Sequence, residues 1–354
     1  MTTSTGIMIC GHGSRSVAAV EEFRHLVGRL RERLPEHDVE FGFLEFARPV
    51  IRDGLEALKA RGAQRIICLP GMLFAAGHVK NDLPSEINTF AAENPGIEVC
   101  FGRELAIDPK LLRASAARIA AAEAAAERQI PRAETLLLVV GRGTNDSDAN
   151  SNVSKVARML WEGMGFGWTE VGYSGVAHPL TDAALDHAAR LGYRRIIVFP
   201  YFLFTGILVD RIYAAADACR QQHPQIDLVK ADYLNDHPLV IETFLARLEE
   251  AIDGTGVMNC LLCKYREQVL GYEKDQGAAQ AGHHHHVRGI GTDADHAHDH
   301  HGHHHHGHDH HGHEHGHHHH GHDHHGHHHG AHDHDHAHAH PHPHGGNGQD
   351  RTGG

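Results

Sequence analysis

Short apolar runs alternate with longer amphipathic stretches between residues 6 and 253 of the chain. Each apolar run has the length of a buried strand, and each stretch between them carries apolar residues at helical spacing. The first stretch places Phe23, Val27 and Leu30 on one face and ends before Pro35. The pattern predicts strands at residues 6–10, 39–45, 66–69 and 97–101, and helices at 16–34, 50–61, 79–93 and 108–128.

The same order of elements then occurs a second time. Strands are predicted at residues 135–140, 169–174, 196–199 and 226–231, and helices near 147–163, 180–191, 207–222 and 238–252. The halves align at a shift of 130 residues, which matches RIICLPGMLF from Arg65 with RIIVFPYFLF from Arg195. A match in register over a long span indicates duplication of a whole domain. We therefore predict an α/β fold with two tandem domains, each a four-stranded parallel sheet flanked by helices.

The composition divides the chain into four segments. The two α/β repeats occupy residues 1–131 and 132–254, and a linker at 255–282 contains the sequence MNCLLC. Residues 283–354 form a tail that holds most of the 42 histidines of the chain, mixed with Gly and Asp. Such a segment cannot bury a core, so we expect disorder in the absence of metal.

Charge and cysteine usage exclude several classes of protein. The formal net charge is −13 and basic stripes are absent, which argues against a nucleic-acid partner. Four of the six cysteines are scattered through predicted elements, as expected for reduced thiols in a cytoplasmic protein. The first apolar run is better explained as a strand than as a signal peptide, and no run has the length of a membrane span.

Two histidines and a carboxylate follow three successive predicted strands of the first repeat. His12 follows the first strand, Glu45 the second and His78 the third. Ligands of open parallel α/β sheets bind beyond the carboxyl ends of the strands. We therefore predict that these side chains form one metal-handling site.

The second repeat provides an internal control for this prediction. At the shift of 130 residues His12 aligns with Arg142 and Glu45 with Gly175, while His78 has no counterpart. Residues needed only for folding, such as a turn residue or a helix cap, would tend to persist in both repeats. The loss of all three groups favours a functional role in the first repeat, with the second repeat as the far wall of a cleft.

The residue types define the chemistry but leave the reaction open. Neutral imidazole is a good ligand for Co²⁺, Ni²⁺, Fe²⁺ and Zn²⁺, and three protein ligands leave coordination positions free. The same groups can accept protons near neutral pH. Insertion of a metal into a macrocycle that must lose its inner N–H protons fits this combination, and so does a metal hydrolase.

The motifs ICGHGSR, FGFLEFARP and PGMLFAAGHVKNDLP on tandem α/β halves resemble the class II chelatases. The arrangement resembles the long form of the sirohydrochlorin cobaltochelatase (CbiX) family over nearly the whole chain. The resemblance implies that His12 and His78 bind the metal and act as bases, with Glu45 beside them. It also implies that the substrates are Co²⁺ and sirohydrochlorin, a tetrapyrrole rich in carboxylates, and that the product enters cobalamin synthesis.

Two other functions remain open at this stage. The sirohydrochlorin ferrochelatase of sirohaem synthesis carries the same motifs, so the family is better defined than the metal. A metal-storage or metallochaperone protein that binds metal or tetrapyrrole without turnover belongs to a different class. Turnover of sirohydrochlorin with Co²⁺ would separate the enzymes from the binding protein.

Polar residues in the loops after the first strand of each repeat are candidates for substrate binding. Arg142 and Asn145 in the second repeat, and Ser14 and Arg15 in the first, could face the carboxylates of the tetrapyrrole. A role in bracing the loops is the alternative for each of them.

The C-terminal segments carry two further metal predictions. Cys260 and Cys263 have a spacing used for thiolate–metal binding, and long-form relatives with this MxCxxC motif are associated with a 4Fe-4S cluster. A second subunit in a homodimer is one source of the missing ligands, and two free thiols are the alternative. The His-rich tail is suited to binding Co²⁺, Ni²⁺ or Zn²⁺, as a store or a delivery segment.

Overall fold

The computed structural model describes residues 4–256, which form two four-stranded parallel sheets with flanking helices. The first repeat contains strands β1 to β4 at Thr5–Gly11, Asp38–Phe43, Arg65–Pro70 and Glu98–Phe101. Its helices α1 to α4 lie at Val17–Arg33, Ile51–Ala60, Leu83–Glu93 and Pro109–Ala125. The predicted α/β class with tandem four-stranded sheets is confirmed.

The second repeat has the same elements in the same order. Strands β5 to β8 lie at Thr135–Gly141, Trp168–Tyr173, Arg195–Pro200 and Asp227–Lys230. Helices α5 to α8 lie at Ser147–Met164, Thr181–Arg190, Ile207–Gln222 and Pro238–Ile252. The strand orders are β2-β1-β3-β4 and β6-β5-β7-β8. The central strands pair in the same register, because Thr5 pairs with Arg65 in the first repeat and Thr135 with Arg195 in the second, each 130 residues further along the chain.

Two predicted helices differ from the structure by more than one residue at an end. The helix predicted from residue 79 begins only at Leu83, because residues His78–Asp82 form a π turn. In this turn the N–H of Leu83 donates to the carbonyl of His78. Pro84, which has no N–H to donate, follows this wider turn. The helix predicted to residue 128 ends at Ala125, and the carbonyl of Arg128 accepts a hydrogen bond from the buried guanidinium of Arg195.

The last helix of each repeat packs on the other repeat. Helix α8 lies against α1 and β3 of the first repeat, whereas α4 lies against α5 and β8 of the second. The two exchanged helices also pack on each other, and buried Arg247 of α8 donates to Asp108 at 2.5 Å. One cluster of buried apolar side chains therefore runs through both repeats, from Ile7 and Ile9 to Leu137 and Val139.

A buried ion pair joins the repeats beside the π turn. Lys80 Nζ lies 2.6 Å from Asp146 Oδ2, and the two side chains are only 3% and 4% exposed. Asp146 is also the N-cap of α5, where its other oxygen accepts from the N–H groups of Asp148 and Ala149. The π turn is thus attached to the N-terminus of a helix of the second repeat.

No helix among residues 4–256 has both the length and the apolar character that a membrane span requires. Within the same residues Cys10, Cys68, Cys100 and Cys219 are free thiols, as the sequence predicted for the domains.

We expect Lys80→Ala to lower the free energy of unfolding by about 3–5 kcal/mol, because the buried carboxylate of Asp146 loses its cation. Lys155→Ala is the control, since Lys155 is exposed on α5 and a surface substitution changes stability by only about 0.5 kcal/mol. Urea unfolding of both variants tests the prediction. Equal losses in the two variants would contradict it.

Candidate active site

The three predicted groups come together at the carboxyl ends of β1, β2 and β3. One ligand atom from each of His12, Glu45 and His78 can be chosen so that all three atoms lie within 4.8 Å of one another. The imidazole rings of His12 and His78 meet edge to face with centroids 4.5 Å apart, and His12 Nε2 lies 3.4 Å from Glu45 Oε1. The separate strand ends therefore form one cluster.

A glycine brings the loops after β1 and β2 into contact. Gly13 has φ +98°, and a Cβ on it would lie 1.7 Å from the carbonyl oxygen of Glu45. The adjacent backbone is fixed by a hydrogen bond from the N–H of Glu45 to the carbonyl of His12, 3.1 Å long. The two loops can approach this closely because residue 13 has no side chain, and their contact holds His12 and Glu45 side by side.

The hydrogen bonds of His12 define its tautomer. Nδ1 lies 3.0 Å from the carbonyl oxygen of Gly13, which can only accept, so Nδ1 carries the proton. Nε2 then has a lone pair directed toward the cluster. Burial lowers the pKa of His12 to about 3, and the neighbouring charges of Arg142 and His78 add to the effect. His12 is therefore a neutral ligand throughout the physiological pH range.

A carboxylate that the sequence did not identify as a site residue orients His78. Asp82 Oδ2 lies 2.7 Å from His78 Nδ1, and Asp82 Oδ1 accepts from the amide of Asn81 at 3.0 Å. A histidine whose Nδ1–H donates to a carboxylate has a fixed ring orientation and its Nε2 free for a metal. The spacing His78-x-x-x-Asp82 was the available signal, since a helical turn places such residues together.

Glu45 is a buried carboxylate, only 8% exposed. Burial raises the pKa of Glu45 above its usual value, while the imidazole of His78, when it is protonated, and the guanidinium of Arg142 act in the opposite direction. Such a group can change its protonation state closer to neutral pH than an exposed glutamate.

The second repeat contributes Arg142 to this cluster. Arg142 Nη2 lies 3.2 Å from His12 Nε2, and since guanidinium only donates, the imidazole nitrogen accepts. In the place of Glu45 the second repeat has Gly175, in the loop after β6, and in the place of His78 it has the apolar Ile207, the first residue of α7. Among the described residues the His–Glu–His cluster thus occurs in the first repeat alone.

The remaining candidate residues lie near the cluster or outside the described chain. The guanidinium of Arg15 lies 4.8 Å from the centroid of Phe46, a ring that is itself 6.5 Å from His12. Ser14 accepts a hydrogen bond from the N–H of Ser16 and so braces its loop, and Asn145 is exposed. Cys260 and Cys263 lie outside the described residues.

The cluster has the donor set of an open metal site. Two imidazoles and a carboxylate suit divalent first-row metals and leave positions free. A tetrahedral ion with bonds of about 2.0–2.2 Å has ligand atoms roughly 3.3 Å apart. The three ligand atoms lie within 4.8 Å of one another, so they would move closer together on binding an ion. The same side chains can take up protons released at the metal.

Comparison with known proteins identifies the family. The family model described as CbiX matches residues 6–122 and 136–251. A sirohydrochlorin cobaltochelatase of Priestia megaterium is 33% identical over 270 residues, which are 75% of this chain and 85% of the relative. A sirohydrochlorin ferrochelatase of the same organism is 31% identical over 232 residues, or 65% of this chain and 84% of the relative.

Solved structures agree with the sequence comparison. SirB from Bacillus subtilis with Fe³⁺ is 26% identical, has a TM-score of 0.64 and is matched over its full length by 72% of this chain. A cobalt complex of the sirohydrochlorin chelatase SirB from the same species gives a TM-score of 0.61. Because the family model covers both repeats, the chain belongs to the CbiX family of metal chelatases.

Proposed function

We propose that this chelatase inserts Co²⁺ into sirohydrochlorin and so supplies cobalt-sirohydrochlorin for cobalamin biosynthesis. The observation that supports this most directly is the His12–Glu45–His78 cluster on a fold whose relatives include a sirohydrochlorin cobaltochelatase. Insertion exchanges two inner pyrrole protons for one divalent ion. A site for this reaction must present both metal ligands and proton acceptors, and the cluster offers both.

In the proposed mechanism His12 and His78 share metal binding and proton uptake. The Nε2 of each imidazole would bind Co²⁺ as the ion approaches the macrocycle, and would accept a pyrrole proton when the ion has left. The buried carboxylate of Glu45 lies beside His12 Nε2 and can receive a proton from it. Asp82 keeps the ring of His78 in the required orientation.

Substrate binding in this proposal depends on the arginines near the cluster. Arg142 and Arg15 are exposed and stand on the loops after β5 and β1. Planar guanidinium groups bind carboxylates bidentately, and sirohydrochlorin carries carboxylates around its rim. Ser14 and Asn145 belong to the same two loops and stay candidates for the same role.

Insertion of iron for sirohaem synthesis is the second candidate. It is favoured by the ferrochelatase relative and by the Fe³⁺ complex of SirB. An absorption assay of metal-free sirohydrochlorin with Co²⁺, Fe²⁺ and Ni²⁺, run without oxygen, decides between the metals. We expect the highest kcat/KM with Co²⁺. A higher value with Fe²⁺ would assign the enzyme to sirohaem synthesis, and binding without turnover would indicate a storage protein.

The iron–sulfur cluster of the linker and the metal binding of the His-rich tail stay predictions, because residues 257–354 lie outside the described part of the chain. We propose that the tail binds Co²⁺, Ni²⁺ or Zn²⁺ and that Cys260 and Cys263 contribute to a 4Fe-4S cluster.

We expect His12→Ala and His78→Ala each to lower the insertion rate by ~10²–10⁴-fold, the usual contribution of a general base, without loss of the fold. His187→Ala is the matched control, because His187 is an exposed histidine of α6 in the second repeat. Initial rates and circular dichroism of the three variants test the assignment. Near-normal turnover in either site variant would refute it.

Asp82→Asn should lower the affinity for Co²⁺ or the rate of metal insertion by ~10–100-fold. This is the usual effect of removing a carboxylate that supports a metal-binding histidine. The amide retains an acceptor for His78 Nδ1 but not the charge. Asp182→Asn provides the comparison, since Asp182 is an exposed carboxylate at the start of α6. The KM for Co²⁺ is the quantity to measure, and equal values in both variants would remove Asp82 from the site.

Truncation after Gly256 should leave a folded enzyme that inserts cobalt when Co²⁺ is abundant, because the three site residues and the buried cores precede this point. Bound metal per chain should fall steeply, since the histidine tract is removed. Insertion rates and metal content of the truncated and full chains test this. A folded but inactive truncated chain would show that residues 257–354 take part in catalysis.

A further inference from the structure

The guanidinium of Arg142 lies against the nitrogen of His12 that a metal ion would use. Arg142 Nη2 is 3.2 Å from His12 Nε2, the nitrogen that faces Glu45 Oε1 at 3.4 Å. The proton on Nδ1 is committed to the carbonyl of Gly13. The lone pair that could bind a metal is therefore already accepting a hydrogen bond from a permanent cation.

A divalent ion at this position would meet both a steric and an electrostatic obstacle. A metal bonded to His12 at about 2.0–2.1 Å would lie in the path of the guanidinium nitrogen. Two cations at such short distance repel strongly in a partly buried site. The ion can bind His12 only after the side chain of Arg142 has turned away.

The backbone of Arg142 is fixed, but its side chain is free to turn. The carbonyl of Arg142 accepts from Ser174 Oγ at 3.0 Å, and a Cβ on the adjacent Gly143 would lie 1.9 Å from the carbonyl oxygen of Gly175. The side chain of Arg142 itself is exposed. The contact between Arg142 and His12 can therefore be broken by rotation of the Arg142 side chain, without movement of the loop.

We propose that Arg142 blocks the metal position of the substrate-free enzyme and releases it when its guanidinium binds a carboxylate of the tetrapyrrole, so that the tetrapyrrole binds before the metal. This inference rests on the proposed function for the identity of the tetrapyrrole. The block itself depends only on the contact between Arg142 and His12. The carboxylate is a stronger partner for the guanidinium than the neutral imidazole nitrogen, because it carries a negative charge.

Arg15 provides a matched control within the same site. It is also an exposed arginine on a loop at the carboxyl end of a central strand, but its guanidinium lies over Phe46. Its removal deletes the same charge near the cluster without touching His12 Nε2. A general electrostatic effect would appear in both variants, whereas a block at His12 would appear only in Arg142→Met.

The test measures protection of His12 by Co²⁺ in the full chain, without tetrapyrrole. Diethyl pyrocarbonate modifies unprotonated imidazoles, and peptide mass spectrometry separates His12 from the histidines of the tail. We expect Co²⁺ to protect His12 in Arg142→Met at concentrations at least about tenfold lower than in the wild type, because the competing cation is gone. Arg15→Met should match the wild type.

Equal protection in the wild type and Arg142→Met, or an equal gain in Arg15→Met, would overturn the block. Binding of metal-free sirohydrochlorin, followed by its absorption, tests the release. We expect the wild type to bind it without metal and Arg142→Met to bind it more weakly. Unchanged binding in the variant would overturn the role of the carboxylate. A failure of the proposed function would appear separately, as absence of turnover with every metal, while the cobalt protection is measured without turnover.

Discussion

The buried ion pair between Lys80 and Asp146 determines where the site residues of the third loop lie. Lys80 is within the π turn that carries His78 and Asp82, and Asp146 is the N-cap of a helix in the other repeat. Two charges so far from water are stable only as partners, so the turn and the helix must stay together. The orientation of His78 in the first repeat thus depends on a contact with the second.

The site itself is organised around one imidazole with two neighbours of opposite charge. His12 Nε2 faces the carboxylate of Glu45 and the guanidinium of Arg142 at similar distances. Burial and the arginine keep this imidazole unprotonated, which suits a metal ligand, while Glu45 compensates the positive charge. A site built in this way is sensitive to any ligand that changes the partner of Arg142.

The fold and the three site residues could be predicted from the sequence because both follow from local patterns. Hydrophobic periodicity identified the strands, and parallel strands bring their carboxyl ends to one edge, which placed His12, Glu45 and His78 together. The contact of Arg142 with His12 and the pairing of Lys80 with Asp146 join residues of different repeats. The hydrophobic periodicity of the sequence gives no information on contacts between the repeats. The contact of His78 with Asp82 is local, and the spacing of four residues could have indicated it, although the pattern predicted an α-helix there and not the π turn.

The exchange of the last helices means that neither repeat is a self-sufficient folding unit. Without α8 the sheet of the first repeat would lose its cover over β3, and without α4 the second repeat would lose a helix packed on α5 and β8. After a duplication, the His–Glu–His groups of one copy can therefore be lost while the copy itself cannot. The chain retains a complete second α/β repeat that lacks the His–Glu–His cluster, and the packing of α4 and α8 is by itself a reason for its persistence.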